Sequence, residues 1–168
     1  MRKLLLFASF AALACSDDDS NPTGAATQFS ATLSGAEEVP AVPSEATGTA
    51  TFTISGNQIT YTVNTTGLAN PVVSHIHIAP TGENGPVRLN LCGTGDPVPP
   101  CGTGEGVLVT GTNGTTVGNP AITFDDLVAA MRAGDTYVNV HTDNGSPPPN
   151  TGPGDMASGE IRGQIVAE

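Results

Sequence analysis

The chain has 168 residues, with 21 Gly, 14 Pro, no Trp, two Tyr and five Phe, and a formal charge of −11. That length holds one domain with a real core and not two, and a core so poor in aromatic side chains has to be built from Val, Ile, Leu and Ala, with turns between short strands rather than long helices. Five basic residues against 16 acidic ones leave no patch for a nucleic-acid backbone, and none with which a folded domain could adhere to anionic lipid.

Met1-Arg2-Lys3 is a basic start, Leu4 to Leu13 is apolar, and Ala14-Cys15 closes the segment. Residues 1–14 therefore have the layout of a signal peptide, since a bilayer-spanning helix needs ~20 apolar residues. A cysteine directly after Ala12-Leu13-Ala14 resembles the bacterial lipobox, although Ala12 stands where Leu is commoner. The expectation is that Cys15 is lipidated, becomes the mature N-terminus and ties the chain to a membrane of the bacterial cell envelope. The alternative is an ordinary signal peptide with an incidental cysteine. Residues 15–27, rich in Asp, Ser, Asn and Gly, form a predicted acidic tether, and 28–168 the folded domain. Without residues 1–14 no lysine is left, and Arg88, Arg132 and Arg162 face 16 acids, a net charge of −13.

Within the domain, apolar and polar residues alternate in Phe29–Leu33, Ala50–Ile54, Ile59–Val63, Val87–Leu91 and Val138–His141, and more weakly in Val72–Ile78, Val107–Thr112 and Glu160–Val166. Each reads as a half-buried strand, and about eight strands split by Gly-rich turns predict an all-β, antiparallel, Greek-key-like sandwich or barrel. After the fifth strand come Cys92 and Cys101, separated by eight residues; in an oxidising compartment they are predicted to form a disulfide, the spacing being wrong for zinc. One segment departs from strand periodicity. Thr123 as cap, acids in the first turn, apolar residues at 124, 127, 128 and 131, and Gly134 at the stop predict a short helix over 124–133. The stretch 143–158, with three consecutive prolines, reads as an irregular exposed loop.

Side chains two apart on a strand share a face. His75 and His77 then oppose Ile76 and Ile78. Asn139 and His141 oppose Val138 and Val140, Glu160, Arg162 and Gln164 oppose Ile161 and Ile165, and Arg88 and Asn90 oppose Val87, Leu89 and Leu91. Four polar stripes thus hold all three histidines of the chain.

The blocks Leu33-Ser34-Gly35-Ala36-Glu37-Glu38-Val39-Pro40, His75-Ile76-His77-Ile78-Ala79-Pro80, Asn84-Gly85-Pro86-Val87, Leu127 to Gly134, Tyr137-Val138-Asn139-Val140-His141-Thr142 and Gly159-Glu160-Ile161-Arg162-Gly163-Gln164 occur in the order in which they stand in the chordin-type (CHRD) domain family. The chain closely resembles that family across residues 28–166. The resemblance implies an extracytoplasmic β domain and brings no catalytic mechanism with it. The Cys92–Cys101 insertion and the long 143–158 stretch depart from the family pattern.

Three readings of the polar face stay open. Arg88, Asn139, Glu160 and Arg162 with the imidazoles can form a structural hydrogen-bonded network, Glu160 pairing with Arg162. His75, His77 and His141 are alternatively a ligand set for copper or zinc, both of which accept imidazole; Arg162 would oppose a cation unless neutralised by Glu160. The His-x-His strand is remotely similar to that of copper/zinc superoxide dismutases, but the further histidines of a dismutase are missing. The third reading is a site for an organic ligand. No Gly-x-Ser-x-Gly elbow, phosphate loop or Cys/His nucleophile pair occurs, so no catalytic residue is assigned and an enzyme is not expected. The function expected is that of a lipid-anchored binding module for an extracellular protein or small ligand, with a three-histidine metal protein as the alternative.

Overall fold

The computed structural model describes residues 25–94, 97–113, 116–118 and 120–168. The predicted signal peptide, Cys15 and all but the last three residues of the predicted tether lie outside the described residues. Among the described residues nine strands and one helix follow in order: β1 (Gln28–Ser34), β2 (Thr47–Ser55), β3 (Gln58–Thr66), β4 (Pro71–Ile78), β5 (Val87–Cys92), β6 (Gly106–Asn113), α1 (Phe124–Ala133), β7 (Thr136–Thr142), β8 (Ile161–Gln164) and β9 (Val166–Ala167), with a 3-10 turn at Gly35–Glu37 after β1. The strands pair antiparallel in the order β5-β4-β7-β8-β1-β2-β3-β6, and β9 adds to β1. The sheet curls until its two ends nearly meet. Tyr61 of β3 donates to the Leu91 carbonyl of β5 at 3.0 Å. A Cβ at Gly111 would lie 2.6 Å from that Tyr61 hydroxyl, so glycine is what lets the ring cross to the far edge.

The alternation that predicts the strands is what fills this barrel. β2 buries Gly48, Ala50, Phe52 and Ile54 and exposes every threonine and the serine between them. On the wet face Thr60 and Thr112, and Thr62 and Thr110, sit hydroxyl to hydroxyl at 3.2 Å across β3 and β6, a favourable cross-strand pairing. The core is mostly aliphatic, with Leu33, Ile59, Val63, Ile76, Leu89, Leu91, Val138, Val140 and Ile161 all inaccessible to solvent. The predicted strand over 160–166 is two strands: Ile165 leaves the ladder, and its N–H turns to the Thr136 carbonyl.

Helix α1 has the predicted bounds and the predicted caps. Thr123 accepts from the Asp126 N–H, the Asp126 carboxylate accepts from the Thr123 N–H, and Gly134 closes the helix at φ 76°, a conformation in which Gly avoids the Cβ penalty. Leu127, Val128 and Met131 go into the core with Phe124 packed against them. Cys92 and Cys101 are disulfide-linked with Cα atoms 5.0 Å apart, within the usual range for such a bond.

Candidate functional site

The site forms where β4, β7 and β8 lie side by side. His75 pairs with Asn139 and Asn139 with Arg162; His77 pairs with Tyr137, and Val73 with His141. Since directly opposed residues share a face, this register gathers the imidazoles, Asn139, Tyr137 and Arg162 on the side away from Ile76, Val138 and Val140. That polar face is covered by loops. Residues 38–43, 84–85 and 156–159 roof part of it and enclose a cavity of about 510 Å³, with His77, Tyr137, Asn139 and His141 in its wall.

The three histidines converge. One ring nitrogen from each of His75, His77 and His141 lies within 4.8 Å of the other two, and the His75 ring centroid is 5.7 Å from that of His77 and 5.2 Å from that of His141. Two rings are held in a fixed tautomer by backbone. His77 Nδ1 donates to the Gly85 carbonyl at 2.8 Å and His141 Nδ1 to the Ala157 carbonyl at 2.9 Å. A carbonyl can only accept, so both lone pairs reside on Nε2. His141 Nε2 and His75 Nδ1 are buried and have no hydrogen-bond partner, while His77 Nε2 is within hydrogen-bond distance of the Asn139 side-chain amide at 3.1 Å.

Electrostatics keep these rings neutral. Burial pushes His75 down to about 4, helped by the fields of His141 and His77. Burial also lowers His77, against its hydrogen bonds to the Gly85 carbonyl and the Asn139 side chain and with the fields of His141 and Arg162, and it lowers His141 against the bond to the Ala157 carbonyl. A neutral imidazole is the form that coordinates a metal.

Arg162 and Glu160 do not pair as expected. The Arg162 guanidinium stacks 3.4 Å from the centroid of Tyr137, whose ring stacks on His77 at 4.7 Å, and it donates to Asn84 Oδ1 and the Glu83 carbonyl. Glu160, 1% exposed, accepts from Ser44 Oγ, Thr142 Oγ1 and the Gly154 N–H. The two side chains diverge along the face because each finds its own loop to anchor. Arg88 is not brought to the histidines either. The β4–β5 register shifts between Ile76 and His77, which pair with Leu89 and Val87 and skip Arg88, and its guanidinium donates to the Pro120 carbonyl.

Two residues of the site carry no role in the sequence reading. Tyr137 was within reach of it, being two residues from Asn139 on the same strand face. Glu38 was not, because nothing local announces that a carboxyl after a 3-10 turn will be buried. It is 7% exposed, and its Oε1 has no partner. Burial pushes Glu38 up from 4.5 to about 7, with Arg162 and the Val39 N–H pulling the other way. The 143–158 stretch also contributes more than an exposed loop would: its return leg is pinned by Thr142 N–H to the Met156 carbonyl and delivers the Ala157 carbonyl to His141.

Against models of known families, residues 29–165 match the CHRD domain. A search of curated proteins finds no match.

Proposed function

The chain belongs to the CHRD domain family, and from that membership we propose a non-enzymatic binding module; from the lipobox-like residues 12–15 we propose its anchoring by lipid on Cys15 in the bacterial cell envelope, and from the histidine cluster a bound copper or zinc ion held by His75, His77 and His141. One observation carries the metal: one nitrogen from each of the three imidazoles lies within 4.8 Å of the other two, and two buried imidazole nitrogens of this cluster, His75 Nδ1 and His141 Nε2, have no hydrogen-bond partner. A purely structural network would satisfy those atoms internally, since each buried polar atom left without a partner costs ~1–3 kcal/mol. Backbone carbonyls on the opposite ring nitrogens of His77 and His141 are the orienting contacts that metal-bound imidazoles usually have. Arg162 works against a cation here, since its guanidinium stacks on Tyr137, the ring that stacks on His77, and its field is felt at His77; the ligand set has to offset that repulsion.

The test uses full-length protein prepared without a histidine tag in medium containing copper and zinc. About one ion per chain is expected, with retention falling on the order of tenfold or more in His77→Ala and His141→Ala. A wild-type protein that emerges metal-free, or variants that keep as much metal as wild type, would overturn the reading.

A further inference from the structure

We propose that the ion held by the three imidazoles keeps one coordination position open to the cavity, and that this position takes an exogenous nitrogen donor of the imidazole or amine class whose N–H is received by Glu38. The inference rests on the metal reading above and adds the ligand the metal binds.

The donor count comes first. Among the described residues the ligating group contains three histidines and no carboxylate or thiolate. Structural zinc sites are closed by four protein ligands, whereas three leave a position for water or a ligand. The open side is fixed by the fold. His77 and His141 form part of the cavity wall, while their Nδ1 sides are occupied by the Gly85 and Ala157 carbonyls. A ligand can therefore reach the Nε2 side from the cavity.

The walls then select the ligand. Glu38 Oε1 is buried without a partner, and Gly159, at φ +121°, makes room for it: a Cβ there would lie 2.6 Å from Glu38 Oε1 and 2.9 Å from Asn139 Nδ2. An orphan carboxyl oxygen favours a ligand with an N–H to give and works against an anion. Val39, Pro40, Ala41, Val42 and Pro43 line the same cavity and offer apolar surface for a carbon skeleton, and the volume suits a small molecule or one side chain. An imidazole meets both demands, coordinating through one nitrogen and donating from the other.

The experiment loads the full chain with one equivalent of Cu(II) and titrates it with imidazole, with azide as an anionic comparison, following the visible and electron paramagnetic resonance spectra. A saturable change without release of copper is expected for imidazole. Glu38→Leu should weaken imidazole on the order of tenfold and leave azide no weaker. Ala41→Trp, which fills the cavity, should block imidazole while copper stays bound. A histidine-containing peptide that binds tighter than free imidazole would assign the position to a protein partner, and the reverse to a small molecule. Copper-loaded protein whose spectra ignore imidazole would show a closed site and overturn the proposal, as would equal imidazole affinity in wild type and Glu38→Leu. If copper does not bind in the first place, the metal reading itself fails and this proposal falls with it.

Discussion

Glu38 and His75 respond to the same burial with opposite signs. A carboxyl held near 7 when folded and 4.5 when unfolded makes the folded state bind more protons between those values, so its contribution to stability is full below 4.5 and is lost as pH rises through 7. His75, depressed to about 4 from 6.5, contributes fully above 6.5 and loses that contribution as pH falls towards 4. Comparing wild type with Glu38→Gln isolates the first effect. In chelator-treated protein, going from pH 5 to pH 8 should cost wild type up to ~3 kcal/mol more than the variant, measured by urea unfolding at both pH values. Parallel pH profiles would show that the carboxyl ionises freely. The histidines were legible in the sequence because two-residue parity needs only the local strand. The Glu160 and Arg162 partners were not, because they include loop groups brought in from far along the chain, Ser44 for one and Asn84 for the other. Arg88 was misplaced because a register shift cannot be seen from one strand alone.

Among the elements, helix α1 shows how completely a local signal can specify structure. Its reciprocal Thr123–Asp126 cap and its left-handed Gly134 rest on residues within a dozen positions. Thr123→Ala should cost ~1 kcal/mol in thermal or chemical unfolding; no loss would mean that packing of Leu127 and Met131 holds the helix without its cap. The Cys92–Cys101 bridge spans a sequence separation of 9. A loop of that size restricts the unfolded chain enough that replacing both cysteines with Ser should cost roughly 2–3 kcal/mol, and mass analysis without reductant should show the wild-type pair linked. The strands were legible for the same reason as the helix, since alternation is local. Their order was not: β1 lies between β8 and β2, a neighbourhood joining the two ends of the chain, and pairing at that distance is decided by the whole core.

At the scale of the molecule, a curled antiparallel sheet carries its polar cluster on an outward face and roofs it with three loops, leaving the aliphatic interior to hold the fold. Stability and the proposed binding thus fall on opposite faces of the same strands. The proposed anchor, Cys15, precedes the folded domain in the sequence, so Cys15→Ala should move the protein from membrane to soluble fractions without altering its unfolding curve, and unchanged membrane association would refute lipidation at that residue. The central claim is that three imidazoles share one ion. X-ray absorption of the full chain loaded with one equivalent of zinc tests it most directly. The account expects a first shell dominated by nitrogen at ~2.0–2.1 Å with the outer-shell scattering of about three imidazole rings; a shell of oxygen without imidazole scattering, or with that of a single ring, would contradict it.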